Sequence, residues 1–389
     1  MDAQPLYDLS PLLRMALMGS ALALGPLAWL WLRHRDASPG QRLRALILLT
    51  MFLTFDLVVF GAFTRLSDSG LGCPDWPGCY GNASPLGAHE AIGAAQSARP
   101  TGPVTHGKAW VEMIHRYLAT GVGVLITVLA IASWLDARRR RRDGGAGVSP
   151  WWATATLVWV AVQGAFGALT VTMKLQPAIV TAHLLGGVGL LALLIWLALR
   201  ESPAPAVDRR AAALRPLAAL GALLLVVQIA LGGWVSTNYA VLACPDFPTC
   251  HGQIMPPDMD FDSGFTVWRD LGMTAEGAPI PFQALVAIHW THRSFAYVVI
   301  AGLGLLAWRL WPLAGVGRLA RALAAVLALQ FATGLSSVVL NWPLLLAVLH
   351  NGGAAVLVAL LVAINHRLAA ASVVPAGALA RRAPAQGGG

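Results

Sequence analysis

Two pairs of histidines, His115 with His183 and His292 with His350, are the side chains in this sequence best suited to chemistry, because each lies in a long apolar run. An imidazole facing hydrocarbon is costly, so such a histidine usually turns into a helix bundle and carries a ligand, a metal or a proton. Glu112 stands three residues before His115, and the four cysteines form two Cys-x5-Cys pairs, Cys73 with Cys79 and Cys244 with Cys250. A closed structural zinc site takes four ligands, whereas each half of the chain offers two histidines and a distant cysteine pair. An iron clamped between two imidazoles, as in a haem, fits that supply better.

The elements that must position these groups are membrane helices. Hydrophobic residues make up 57% of the 389, charged residues 12%, and the mean hydropathy is +0.65. Nine apolar runs reach the ~20 residues that span a bilayer, near 11–32, 44–65, 111–134, 151–172, 178–199, 216–237, 286–308, 319–340 and 344–366. With no water in the bilayer core to satisfy backbone groups, all nine are expected as helices, giving an all-α polytopic membrane protein. Trp29, Trp31 and Arg33 close the first run where a cleaved signal would show small residues, so it reads as a retained helix. The tail, residues 370–389, is rich in Ala, Gly and Pro and reads as disordered.

Arginines orient the chain. They crowd the connections 33–44, 136–150, 200–215 and 309–318, including the run Arg138 to Arg142, and are sparse on the opposite side. Positive charge stays on the cytoplasmic side. The N-terminus and the long loops 66–110 and 238–285 are therefore expected outside, the C-terminus inside. Topology and attraction to anionic lipid account for the net charge of +9, with no nucleic acid required. Cysteine pairs in outer loops meet an oxidising compartment, which favours disulfides.

An internal repeat organises the chain from residue 44 onward. CPDWPGC (Cys73 to Cys79) returns as CPDFPTC (Cys244 to Cys250), Glu112-Met-Ile-His115-Arg116 as His289-Trp-Thr-His292-Arg293, Gln163 and Gly167 as Gln330 and Gly334, and His183 with Gly186-Gly187 as His350 with Gly352-Gly353. Both copies start on the cytoplasmic side, so they are parallel repeats. Four units follow: residues 1–43, an extra helix and loop; 44–200 and 201–369, two four-helix bundles; and the tail. Each histidine lies four to seven residues into a span that starts outside, roughly 6–10 Å below the boundary at ~1.5 Å per residue. Glu112 shares a helix face with His115, and His289 takes its place in the second copy.

These residues resemble the haem A synthase family, whose members oxidise a methyl group of haem O to the formyl group of haem A. The resemblance rests on GAFTRLSDSGLGCPDWP (Gly61 to Pro77), EMIHR (Glu112 to Arg116), QGAFGALTVT (Gln163 to Thr172), AHLLGG (Ala182 to Gly187), the second cysteine loop, His292-Arg293 and LHNGG (Leu349 to Gly353). It covers 44–366; the helix at 11–32 is additional to the family's eight-span core. It implies a bacterial inner-membrane enzyme with substrate haem O between His115 and His183, and a permanent haem b between His292 and His350 that relays electrons. Glu112 is the expected catalytic carboxylate, acting through two successive oxidations of one methyl carbon, and Arg65, Arg116 and Arg293 are expected at haem propionates. The cysteine pairs are expected to brace lids over the pockets, with a redox role in haem delivery or electron transfer as the alternative, above all for Cys73 and Cys79. Candidate partners are membrane lipid, haem O synthase, oxidase assembly factors and a second copy of the chain. Competing readings are a dihaem electron-transfer protein and a haem carrier, neither of which needs Glu112.

Overall fold

Ser38 begins the first core helix: its hydroxyl accepts from the N–H of Gln41 while the Gln41 side chain returns to the Ser38 N–H, and Pro39 supplies a preset first turn. Comparable starts recur at Thr105, which accepts from Lys108, and at Gln176-Pro177, where the Gln176 side chain accepts from Ile179. In a computed structural model describing residues 10–145, 147–202 and 206–371, the helices are α1 (Ser10–Arg33), α2 (Pro39–Leu66), α3 (His89–Ala98), α4 (His106–Arg142), α5 (Trp151–Thr172), α6 (Pro177–Arg200), α7 (Arg215–Thr237), α8 (Phe261–Phe265), α9 (Phe282–Leu310), α10 (Gly317–Val339) and α11 (Leu344–Ala371).

Among the described residues, nine helices are long and apolar enough to cross a membrane, on the nine runs read from the sequence. α4 departs most. It is 37 residues long, starting five residues before the expected span and carrying Arg138 to Arg142 as helix. Hydropathy marks where the chain is apolar, whereas a helix continues into water as long as its residues favour it. Within the stretch expected as tail, Ala370 and Ala371 still belong to α11; residues 372–389 lie outside the described residues.

α2, α4, α5 and α6 pack in a ring in that order, and α7, α9, α10 and α11 pack in a second ring; α6 and α11 join the two, with α6 against α7 and α2 against α11. α1 lies outside the first ring, against α4, where Gly19 admits Thr120 so closely that a Cβ at Gly19 would collide with it. Lipid tails are as apolar as leucine, so close approach at small residues is what joins such helices. Met15 of α1 also packs with Met113, Tyr117 and the first cysteine pair. At the arginine-bearing ends both interiors are aliphatic, with Ile47, Ile126, Leu129 and Leu194 in one and Leu303, Leu306, Leu310 and Leu361 in the other. The histidines occupy the opposite ends.

Candidate functional site

Each of the four histidines brings Cε1 of its ring up to a glycine of the adjacent helix. A Cβ on Gly61 would stand 3.0 Å from Cε1 of His115, on Gly232 3.0 Å from Cε1 of His292, on Gly334 3.0 Å from Cε1 of His350, and on Gly167 3.4 Å from Cε1 of His183. A Cβ at Gly61, Gly232 or Gly334 would require the imidazole to give by a few tenths of an ångström, and a branched side chain would crowd it further, whereas at Gly167 a Cβ would make ordinary contact. His115 on α4 and His183 on α6 come from helices diagonal in the first ring, and His292 on α9 and His350 on α11 from diagonal helices in the second. Within each pair the rings lie in electrostatic reach of one another. All four rings keep part of their surface uncovered, and Phe60 stacks on His115 with centroids 6.2 Å apart. Gly186 and Gly353 receive the side chains of Gln163 and Gln330.

The outer loops repeat each other residue for residue. Cys73 bonds to Cys79 and Cys244 to Cys250. Asp75 accepts the N–H groups of Tyr80 (2.6 Å) and Gly81 (2.8 Å), and Asp246 those of His251 (2.6 Å) and Gly252 (2.9 Å). Tyr80, Gly81, His251 and Gly252 all have positive φ, the conformation that aims successive N–H groups at one anion. The hydroxyl of Thr249 together with the N–H groups of Gly252 and His251 hold the Asp246 carboxyl at about 2, below its ordinary 3.8. A depressed folded value means that the carboxylate steadies the loop above about pH 4 and stops doing so as pH falls towards about 2. Acidification over that window should lower the protection of the His251 and Gly252 amides, measured as exchange relative to the intrinsic rate at each pH, and Asp246→Asn should remove the step.

Below the loops, the exchange of Glu112 for His289 has a structural meaning. Glu112 is 3% exposed; its Oε2 accepts the Cys73 N–H (2.8 Å) and its Oε1 the Arg116 guanidinium (2.5 Å). His289 accepts the equivalent N–H, that of Cys244 (3.3 Å), and faces Arg293 at 3.4 Å. Each arginine then donates upward into its loop. Arg116 reaches the carbonyls of Asp75, Pro77 and Gly78, and Arg293 those of Cys244, Asp246 and Thr249. Both guanidiniums expected at propionates fasten the loops through these donors. Proline-rich loops leave carbonyls without partners, and a guanidinium supplies many donors at once.

Arg65 is arranged differently. Its Nη2 donates to the Ser236 carbonyl (2.6 Å), its guanidinium covers the Tyr239 ring at 4.3 Å, and its Nε is buried without a partner. Tyr239 donates in turn to Asp68 (2.7 Å), which also takes Lys108 (3.0 Å). This cluster ties the first half to the second at the loop end. Sequence reasoning missed it, as it missed Gln228 and Thr333, whose side chains meet His292 and His350.

Among the described residues no three His, Cys, Asp or Glu side chains converge as a metal site. A metal at either pair must therefore bring further ligands with it, as a macrocycle does, and diagonal imidazoles backed by glycines suit one lying between them. Residues 44–362 match the family COX15-CtaA, described as cytochrome oxidase assembly protein. The chain belongs to that family. It is 40% identical over 337 residues to a heme A synthase of Shewanella oneidensis, covering 84% of this chain and 97% of the relative. It is 31% identical over 334 residues to one of Methylobacterium radiotolerans (77% and 82%) and 29% identical over 348 to one of Caulobacter vibrioides (81% and 93%). The family match spans both rings and leaves out α1.

Proposed function

We propose that this chain is a haem A synthase, an oxidoreductase that converts a methyl group of haem O to a formyl group in two successive oxidations. Membership of the family supports the activity, and the exchange of Glu112 for His289 between otherwise matching halves carries the division of labour. The first half, residues 44–200, takes haem O between His115 and His183; the second, residues 201–369, keeps a haem b between His292 and His350. Haem b, when bound, accepts electrons one at a time at a potential set by its ligands and burial.

The chain's own residues do the rest. Gly61 and Gly167 seat the substrate-side imidazoles, the first cysteine loop covers that half, and Arg116 fastens the loop to α4. Glu112 stands between the first cysteine loop and His115, three residues along α4. Its carboxylate accepts from the Cys73 and Gly72 N–H groups and from the Arg116 guanidinium, and its two oxygens have about four lone-pair sites, so it can take a proton or hydrogen bond from a hydroxylated carbon without releasing the loop. Propionates would be met by Arg65, through its unpartnered Nε, and by Arg116 and Arg293 beside the loops. The arginine distribution supports an inner-membrane protein with a periplasmic N-terminus and cytoplasmic C-terminus.

Pigment extraction tests the proposal. Purified from cells that make haem O, the protein should yield formyl haem alongside haem b. Haem b alone, unchanged under turnover conditions, would overturn it in favour of a dihaem electron-transfer protein. Gly232→Val and Gly334→Val should each displace the facing imidazole and strip most haem b, read as the pigment-to-protein absorbance ratio, with haem b kept in Gly61→Val.

A further inference from the structure

Laying one half on the other helix by helix gives differences as well as matches. The spacing of 171 residues that relates Gly61 to Gly232 relates Leu57 to Gln228, and the spacing of 167 that relates Gly167 to Gly334 relates Phe166 to Thr333. In the second half both new side chains reach the Nδ1 atom of a histidine. Thr333 Oγ1 is 3.1 Å from Nδ1 of His350, and the Gln228 amide nitrogen is 3.2 Å from Nδ1 of His292. In the first half, where leucine and phenylalanine stand instead, Nδ1 of His115 and Nδ1 of His183 are buried without a partner.

Building on the assignment of haem b to the second half, we propose that Gln228 and Thr333 are positioning residues. They hold His292 and His350 as permanent iron ligands, while Leu57 and Phe166 leave His115 and His183 as exchangeable ones for a haem that must arrive and depart.

Hydrogen bonding around Thr333 assigns the tautomer of His350. A backbone carbonyl takes the hydroxyl's one proton, that of Leu329 at 2.9 Å or of Gln330 at 3.2 Å, and with its proton there the hydroxyl accepts from His350. Nδ1 of His350 therefore carries the proton, and Nε2 keeps its lone pair for a metal. Gln228 offers the same service through the other end of its amide. As it stands the amide nitrogen donates to the His292 carbonyl at 3.2 Å and lies 3.5 Å from Nε2; a half-turn of the amide gives up those contacts and brings the buried, unpartnered Oε1 beside Nδ1 of His292, leaving Nε2 free for iron. An acceptor on Nδ1–H fixes the ring's orientation and raises the electron density at Nε2, which strengthens the bond to ferric iron; losing such a partner typically costs 10–100-fold in metal affinity. Apolar neighbours give neither effect. A substrate half that held haem as firmly would bind its product as well as its substrate and release it slowly.

Thr333→Val, which keeps shape and removes the acceptor, and Gln228→Leu, which copies the first half, test this on the purified full-length protein. Two quantities are read: the rate at which haem b passes to excess apomyoglobin, and the midpoint potential of the haem b retained. Each variant should speed transfer roughly 10–100-fold and move the potential upward, since the ferric state loses more donation than the ferrous. Thr333→Ser and Gln228→Glu, which keep an acceptor, should restore slow transfer. Transfer rate and potential both unchanged in Thr333→Val and Gln228→Leu, with haem b absent from His292→Ala, would overturn the positioning role alone. Haem b retained in His292→Ala would overturn the assignment of halves instead. If the second-half variants fail to fold, the exchange in the other direction decides: Leu57→Gln with Phe166→Thr should slow the loss of haem from the first half to apomyoglobin, and an unchanged rate refutes the inference.

Discussion

His292→Ala and His350→Ala are expected to purify with haem b reduced to background, whereas His115→Ala and His183→Ala keep haem b and lose conversion of haem O. The two outcomes differ because the pairs sit in separate rings, joined through α6, α7, α11 and α2 rather than through a shared cavity wall of histidines. Each substitution removes one of two imidazoles and leaves the ring's aliphatic end intact, where Leu303, Leu306 and Leu310 of α9 are fully buried well away from His292. The helices should therefore persist, and the loss should be one of ligation. A second effect separates a true axial ligand from a packing histidine. Imidazole in the buffer should return haem b to His292→Ala or His350→Ala, since removal of the ring opens a space of its own size beside Gly232 or Gly334. Pigment spectra of the four variants, with and without imidazole, check both points. Haem b retained in either second-half variant would refute the division proposed here, and conversion persisting in either first-half variant would refute the substrate site.

How much of this is legible in the sequence depends on what kind of signal carries it. Spans are legible because twenty apolar residues have few other uses, and the structure keeps all nine runs with ends shifted by a few residues except at α4. The histidine pairs are legible because repetition singles them out. What a side chain touches across the bundle is harder to read. Arg116 and Arg293 follow a histidine, which suggests a role at the cofactor, yet a helix turns by about 100° per residue, and the next side chain faces elsewhere. The spacing of four between Glu112 and Arg116, and between His289 and Arg293, is the signal that points to their shared task below the loops. Gln228 and Thr333 are invisible to a search for similarity, because they are where the halves disagree. Arg65 to Ser236 and Asp68 to Tyr239 are contacts between equivalent positions of the two halves, which only a docked arrangement displays.

Glu112→His is expected to leave the fold and the haem b content unchanged while conversion of haem O falls by ~10²–10⁴-fold, the usual contribution of a positioned acid or base. The chain itself supplies the precedent for the substitution. At the equivalent place His289 accepts the N–H of Cys244 and lies beside Arg293, and the second loop is fastened just as the first is. A histidine at 112 can therefore accept from Cys73 and lie beside Arg116, which keeps the loop's own hydrogen bonds to the Asp75, Pro77 and Gly78 carbonyls. Glu112→Ala is a poorer test, because it strands a buried guanidinium and an N–H at once, a loss of several kcal/mol that would confuse a loose loop with lost chemistry. Glu112→Asp sharpens the contrast: it keeps the carboxylate but draws it back by one methylene, so conversion should fall less than with histidine. Turnover is read as the ratio of formyl haem to haem O extracted, and loop integrity as protection of Cys73 and Cys79 from reduction and alkylation. Should Glu112→His convert haem O at the wild-type rate, the carboxylate would be a loop fastener and nothing more, and the difference between the halves would lie in how their histidines are held.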